Sequence, residues 1–241
     1  NPNCNYTSRM NGTSASAPVV SGSLALILEA NPDLTWRDVK HILVTTAALV
    51  DSERTATMVT LGDGAYAAEE GWITNAAGFR FHNWYGFGGL DVSAAIESSK
   101  AYMADQFGPF LESGWIGWQS LSDEIPDNSS IGYTKQLSIL GSMVNNISVI
   151  EAVQIRVSAK HSSSGDLGFE LVSPSGTKSI LLNVTNGFSE TDNLNSMVLL
   201  SNAFYGESPH GEWTVKVVDG SEGISGVLTS AHVRFFGRSS N

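Results

Sequence analysis

The chain has 241 residues, 41% of them hydrophobic, with 24 glycines and a formal net charge of -11. That length suits one large domain or two modest ones, and the composition excludes fibrous and disordered chains. The acidity, with no basic patch in view, predicts no nucleic-acid partner and fits either a solvated surface or basic and calcium-bearing partners.

The first predicted element is a helix over Ser14–Glu29, with Ala17, Val20, Leu24, Ala25, Ile27 and Leu28 giving a broad apolar face. No apolar run is expected to be long enough to cross a membrane. Asn31-Pro32 stops this helix, and Thr35 caps a second one, with Asp38 three residues on as a variant capping box. Trp36, Val39, Leu43 and Ala47 follow at helical spacing. Residues 51–80 read as glycine-broken and mostly irregular, and Tyr85-Gly-Phe-Gly-Gly89 reads as a tight turn. Leu90–Tyr102 predicts a short third helix with Val92, Ala95 and Ile96 facing inward.

The period then changes from helical to alternating. Val153, Ile155 and Val157 alternate with polar residues, as do Leu167, Phe169 and Leu171, then Trp213, Val215 and Val217. Ser173-Pro-Ser-Gly176 predicts a turn between strands at Leu167–Val172 and Lys178–Val184, and Thr229–Phe236 closes the set. From about residue 110 the pattern predicts six to eight short strands and no helix, a β-sandwich or jelly-roll signature. The chain therefore divides near residue 105. The helices of the first part lack the strands of the sheet they should cover, so that part is not expected to be a whole domain, whereas the second part reads as complete.

The string Met10-Asn-Gly-Thr-Ser-Ala-Ser-Ala-Pro18 is where chemistry enters. A serine at a helix start sits beside unpaired N–H groups and the positive end of the helix dipole, which stabilise negative charge developing nearby. Gly12, Ala15 and Ala17 are small enough for another chain to approach closely, and Pro18 lies within the first turns, where a missing N–H costs less. These are the requirements of a nucleophile beside an oxyanion site. On residue types alone a plain N-cap at Thr13, Ser14 or Ser16 is the competing reading.

The whole string, Gly12-Thr-Ser-Ala-Ser-Ala-Pro18, resembles the nucleophile signature of subtilisin-like serine proteases. Leu28-Glu-Ala-Asn-Pro-Asp-Leu-Thr-Trp-Arg-Asp38 resembles the kexin/furin branch, the proprotein convertases, and Trp72-Ile-Thr-Asn75, Gly78 and His82–Asp91 resemble the end of the same catalytic domain. Gly165-Asp-Leu167, Leu171–Thr177, Phe204-Tyr-Gly206 and Gly211-Glu-Trp213 resemble the P domain that follows it. The resemblance implies the C-terminal helical part of an α/β subtilisin-like domain over residues 1–105, then an all-β jelly-roll sandwich, the P domain, over 106–241. It places the family's nucleophile on Ser14, whose backbone N–H would form half of an oxyanion hole. The general-base histidine, the orienting aspartate and the oxyanion asparagine of the family all precede the serine and have no counterpart here. None of His41, His82, His161, His210 and His232 is in the base position. A serine without a base is a weak nucleophile, so the chain alone is not expected to be a competent protease. The implied partners are an N-terminal catalytic portion carrying those three residues, whether or not as another chain, and a peptide or protein substrate. The alternative is a β-sandwich binding or adhesion module with a vestigial protease remnant.

The resemblance also implies a secreted enzyme, bacterial rather than animal. Its opening at Asn1, without methionine or signal peptide, fits processing or truncation. Cys4 is the one cysteine; relatives imply a disulfide to an upstream cysteine, with a plain thiol as the other reading. His82 is expected to be structural, hydrogen-bonded where the last helix meets the serine helix. Asp166 and Asp192 lie in polar β loops and are the candidate calcium ligands, against solvated loop acids. Asn-x-Ser/Thr sequons begin at Asn5, Asn11, Asn128, Asn146 and Asn183, and no glycan is expected at Asn11 because it would crowd Ser14. Trp115, Trp118, Phe169, Trp213 and Phe236 are expected in the sandwich core.

Overall fold

A computed structural model describes residues 10–184, 186–187 and 193–240. The chain falls into two units, one built from the chain up to Leu49 with Gly89–Phe107, the other from Val50–Gly88 with the chain from Gly108 onward.

The first unit holds three helices: α1 (Thr13–Ala30), α2 (Trp36–Thr46) and α3 (Val92–Ala101). Gly12, at φ 83°, is the N-cap of α1, and no side chain caps it. The expectation of a cap at Thr13, Ser14 or Ser16 is corrected accordingly: the left-handed cap conformation suits glycine, and the three hydroxyl residues lie inside the first turn. At the other end, the Asn31 amide donates to the Ser99 and Tyr102 carbonyls at 2.9 and 3.1 Å, tying α1 to the end of α3. The capping box of α2 forms as expected: Thr35 Oγ1 accepts from the Asp38 N–H and Asp38 Oδ2 accepts from the Thr35 N–H. Asp91 caps α3, its side chain accepting from the Ala94 N–H at 2.9 Å. Ile27, Leu34, Ile42 and Ala95 are buried together, with Leu24, Val39 and Ile96 against them. Trp36, expected on the apolar face, is exposed, and Ile42 takes the buried position.

Most of the apolar surface of α1 is uncovered. Val19, Val20, Leu26 and Leu28 are exposed, and only Ser23 and Ile27 are buried. With 18 residues and a mean hydropathy of 1.2, α1 is long and apolar enough to cross a membrane by length and composition alone, a test that the core helix of a folded domain passes as well.

In the second unit, residues 51–80 are not irregular. They form two hairpins, β1 (Thr57–Leu61) with β2 (Gly64–Glu69), and β3 (Ile73–Thr74) with β4 (Arg80–Phe81). Short turn-rich strands carry little period-two signal, which is why the sequence hid them. There follow β5 (Leu111–Glu112), β6 (Ile116–Trp118), β7 (Asp123–Ile125), β8 (Tyr133–Ile139), β9 (Val149–Lys160), β10 (Leu167–Val172), β11 (Lys178–Leu182), β12 (Leu194–Ser201), β13 (Gly211–Asp219) and β14 (Gly226–Arg238). One antiparallel sheet has the order β11-β10-β13-β8; the other runs β12-β9-β14, with β5, β6 and β7 pairing along the far edge of β14. The Ser173–Gly176 turn joins β10 to β11 as expected, the Gly176 N–H donating to the Ser173 carbonyl at 2.9 Å.

Inward residues of both sheets share one core, among them Val153, Ile155 and Val157 of β9, Phe169 and Leu171 of β10, Trp213, Val215 and Val217 of β13, and Val233 and Phe235 of β14. Each such side chain contributes roughly 1.5–3 kcal/mol on burial. Trp213 meets Phe204 and Phe235 at ring distances of 5.0 and 5.1 Å and donates its indole N–H to the Pro209 carbonyl. Of the aromatics expected inside, Phe169 and Trp213 are buried. Trp118 is half-buried against the same core, whereas Trp115 and Phe236 lie half-buried outside it, with Trp115 carrying the Arg156 and Arg234 guanidinium groups at 4.5 and 4.6 Å. A long β-strand pattern does not by itself say which face a flanking tryptophan takes.

The hairpin segment packs on the sandwich. Leu61, Tyr66 and Ala68 are buried with Val184 and Val218. Asn75, 3% exposed, donates its amide to the Ala203 and Tyr205 carbonyls at 2.8 Å each, while its Oδ1 accepts from the Ala77 and Phe79 N–H groups. The Ala76 N–H donates to Glu207 at 3.0 Å, and Thr177 also donates to that carboxylate. Phe79 and Phe87 pack edge-on to Tyr205.

Candidate functional site

Gly12 opens α1 in a conformation few other residues adopt, so the helix starts abruptly and its first turn is exposed. Ser14 is the second helical residue. The Ala15 and Ser16 N–H groups turn back to the Gly12 carbonyl at 3.0 and 3.3 Å, and the Ser16 hydroxyl does the same at 3.4 Å. The Ser14 side chain is exposed and has no hydrogen-bond partner among the described residues. The N–H groups ahead of the first intrahelical bond carry the positive end of the helix dipole beside that hydroxyl. Pro18 stands where the N–H for the Ser14 carbonyl would be, so the helical ladder skips this residue. The result is a rigidly mounted hydroxyl, flanked by alanine and glycine, next to donors for a developing oxyanion.

Among the described residues no imidazole or carboxylate is bonded to Ser14. His41 lies within the helical unit, against Tyr102 and edge-on to Phe107 at 5.0 Å. His82 is buried in the hairpin segment. Its Nδ1 accepts from the Trp84 N–H at 3.0 Å, its ring lies 4.8 Å from that of Tyr85 and 5.3 Å from that of Trp72, and its backbone pairs with Gly86. Burial holds its pKa below the ordinary histidine value. The packing is structural, as expected, but the partners named are its own turn and Trp72 rather than a junction of helices.

Of the two candidate calcium ligands, only Asp166 lies among the described residues. The Asp166 carboxylate accepts from the Ser221 hydroxyl at 3.0 Å, and its backbone carbonyl takes the Gly220 N–H, so it braces two loops. Among the described residues no three acids, histidines or cysteines come together as a metal group. Asp192, Cys4 and the sequon at Asn5 lie outside the described residues. Of the other sequon asparagines, Asn11 and Asn146 are exposed, Asn128 accepts the Gly62 N–H on its side chain, and Asn183 donates its amide to Glu69.

Sequence reasoning missed a buried pair, His161 and Asp219. His161 Nε2 lies 3.1 Å from Asp219 Oδ2 and 2.9 Å from the Ile224 carbonyl, and Nδ1 lies 2.6 Å from the Ser163 carbonyl. The Ser163 N–H also lies 3.1 Å from Nδ1, so both ring nitrogens are enclosed by polar partners. Burial pushes the Asp219 carboxyl up, against the opposing pull of the Ser221 N–H and His161. The two residues are far apart in sequence, so spacing carried no signal for the pair.

Residues 1–88 match the subtilase family model and residues 150–235 match that of the proprotein convertase P-domain. The chain is 36% identical over 241 residues to the Aeromonas extracellular serine protease of Aeromonas sobria, covering 91% of this chain and 37% of the relative. It is 31% identical over 230 residues to Furin-1 of Xenopus laevis, covering 95% of this chain and 27% of that protein. A crystal structure of the Aeromonas sobria serine protease in complex with a chaperone superposes with a TM-score of 0.89 at 32% identity, covering 99% of this chain and 46% of that one. The chain thus spans about a third of the length of these curated relatives.

Proposed function

We propose, from the premise that this chain is kin to the C-terminal part of the subtilisin-like serine proteases of kexin and furin type, that it supplies the nucleophile and the P domain of a serine endopeptidase. In this reading residues 1–105 end the catalytic domain and 106–241 form the P domain. The order β11-β10-β13-β8 facing β12-β9-β14-β5 supports reading the sandwich as a jelly roll. Residues 50–88, within the subtilase match, make their contacts in the β unit, which supports an intimate seam between the two parts. The uncovered apolar side of α1 supports an N-terminal catalytic portion whose sheet would bury it.

The mechanism is acyl transfer. A histidine of the N-terminal portion removes the proton from Ser14 Oγ as that oxygen attacks the substrate carbonyl. The carbonyl oxygen becomes the oxyanion, held by the Ser14 N–H and an upstream asparagine amide. The histidine then gives its proton to the leaving amine, and water activated by the same base releases the acyl group. The relative named as extracellular supports secretion, and the relative solved with a chaperone supports a folding partner for this protein too.

One observation carries the reading: Ser14, within Gly12–Pro18, stands exposed at the start of α1 beside unspent N–H donors. The experiment is peptidase kinetics of the full-length protein and its Ser14→Ala variant. The variant is expected to fold normally and to lose at least about 10^4-fold in kcat. An active variant overturns the proposal.

A further inference from the structure

A groove of about 300 Å³ opens in the β unit between the hairpin segment and the β11 and β12 edges. Its size lies at the lower end of small-ligand sites. Trp84 and Leu200, 57% and 53% exposed, form its apolar walls. Its floor is pinned by a 2.8 Å hydrogen bond between the Ser179 and Ser201 hydroxyls. Between the walls stands Glu69, its Oε2 accepting from the Asn83 amide and its Oε1 from the Asn183 amide, each at 2.9 Å. Glu69 has no ion pair among the described residues.

The donor and acceptor balance selects the ligand. Asn83 spends its amide hydrogens on Glu69 and on the Ile180 carbonyl, leaving its Oδ1 to accept. Each Glu69 oxygen keeps a second lone-pair direction. The groove therefore offers acceptors on Glu69 and Asn83 and a donor in the second amide hydrogen of Asn183, beside apolar walls, which suits a ligand whose hydroxyls both donate and accept. A carboxylate at the centre repels anions. Cations are less favoured, because the Arg54 guanidinium already lies 4.2 Å from the Trp84 ring and Lys178 pairs with Glu70 nearby. Trp84 keeps 57% of its surface exposed even with the Arg54 guanidinium over its ring, and this remaining aromatic surface suits the C–H face of a pyranose.

We propose that this groove binds a neutral polyhydroxylated ligand, a sugar unit of a glycan. The proposal does not rest on the protease reading. The test is saturation-transfer difference NMR on the full-length protein with methyl glucoside, methyl galactoside, methyl mannoside and N-acetylglucosamine as probes. Transfer to the ring C–H protons of at least one is expected, with Kd on the order of millimolar. Trp84→Ala is expected to weaken binding by about tenfold or more, and Glu69→Gln by several-fold. Ser14→Ala is expected to bind as the wild type does, so a failed protease assignment leaves this result readable. Should Trp84→Ala lower the melting temperature, the Glu69→Gln comparison carries the test. No transfer to any of the four sugars overturns the proposal, as does binding of N-acetylarginine amide in their place.

Discussion

Asn75 offers the sharpest perturbation of the seam between the hairpin segment and the sandwich. Its side chain is buried and makes four hydrogen bonds, donating two to the Ala203 and Tyr205 carbonyls and accepting two from the Ala77 and Phe79 N–H groups. Asn75→Ala removes all four and leaves buried backbone groups to find other partners. At about 1–3 kcal/mol for a buried polar group left unmade, with partial relief by entering water, the loss comes to about 3–5 kcal/mol. Asn75→Asp is the more diagnostic change because it keeps the shape. It leaves both accepting bonds intact but turns an oxygen towards two carbonyls that need a donor. At neutral pH it is expected to cost as much as alanine. Burial and the two carbonyls raise the folded-state pKa of the new carboxyl above its unfolded value, so the folded state binds the proton more tightly. The defect is therefore largest above the folded pKa and shrinks as pH falls through it. Urea denaturation of the full-length protein, followed by fluorescence and circular dichroism between about pH 4 and about pH 8, reads this directly. An aspartate variant as stable as the wild type across that range would refute the argument that the amide donors hold this seam.

Three further predictions follow from the same geometry. Gly206→Ala places a methyl group 2.7 Å from Phe79 Cε2 and 2.9 Å from Ala77 Cβ at φ 84°, so a loss of about 1–3 kcal/mol is expected in thermal melts. Asp38 is buried, which raises its pKa, yet hydrogen bonds from the Asp105 N–H and from Thr35 outweigh burial and hold it below the usual carboxylate range. Its contribution to the helical unit is thus present above its unfolded pKa and lost as pH falls through the lower folded value; Asp38→Ala, worth about 1–3 kcal/mol, should abolish that part of the acid dependence. His161→Ala removes the Nε2 partner of the buried Asp219 and is expected to cost about 1–3 kcal/mol. Because the folded Asp219 then prefers its proton, the variant should lose further stability as pH rises from the unfolded pKa through the raised folded one, and Asp219→Asn added to it should remove that slope. A flat profile in a urea titration series would contradict the pairing.

The helices were legible because their signals are local. Thr35 and Asp38 sit three residues apart and form the box that spacing predicts, and Asn31-Pro32 ends α1 where it should. The long strands were legible for the same reason: β9 alternates from Glu151 to Ala159 and β13 from Trp213 to Val217. What escaped was non-local. The β1–β2 hairpin gains its stability from Val184 and Val218, far along the chain, so its own residues looked irregular. Asn75 stood within a recognised motif, but its partners at 203 and 205 could not be read from spacing. The Gly12 cap was masked by the hydroxyl residues after it, each a better cap by type, because cap preference is weaker than the backbone geometry a left-handed residue imposes. The Ser14 position was read from its motif, and the helix start supplied the physical reason for it.

The most direct measurement is to treat the full-length protein with a fluorophosphonate and map the adduct by mass spectrometry. The account predicts a single phosphonylated site on the peptide carrying Ser14, absent after Ser14→Ala or after denaturation. An adduct on any other serine, or none in a preparation that cleaves peptides, would contradict it.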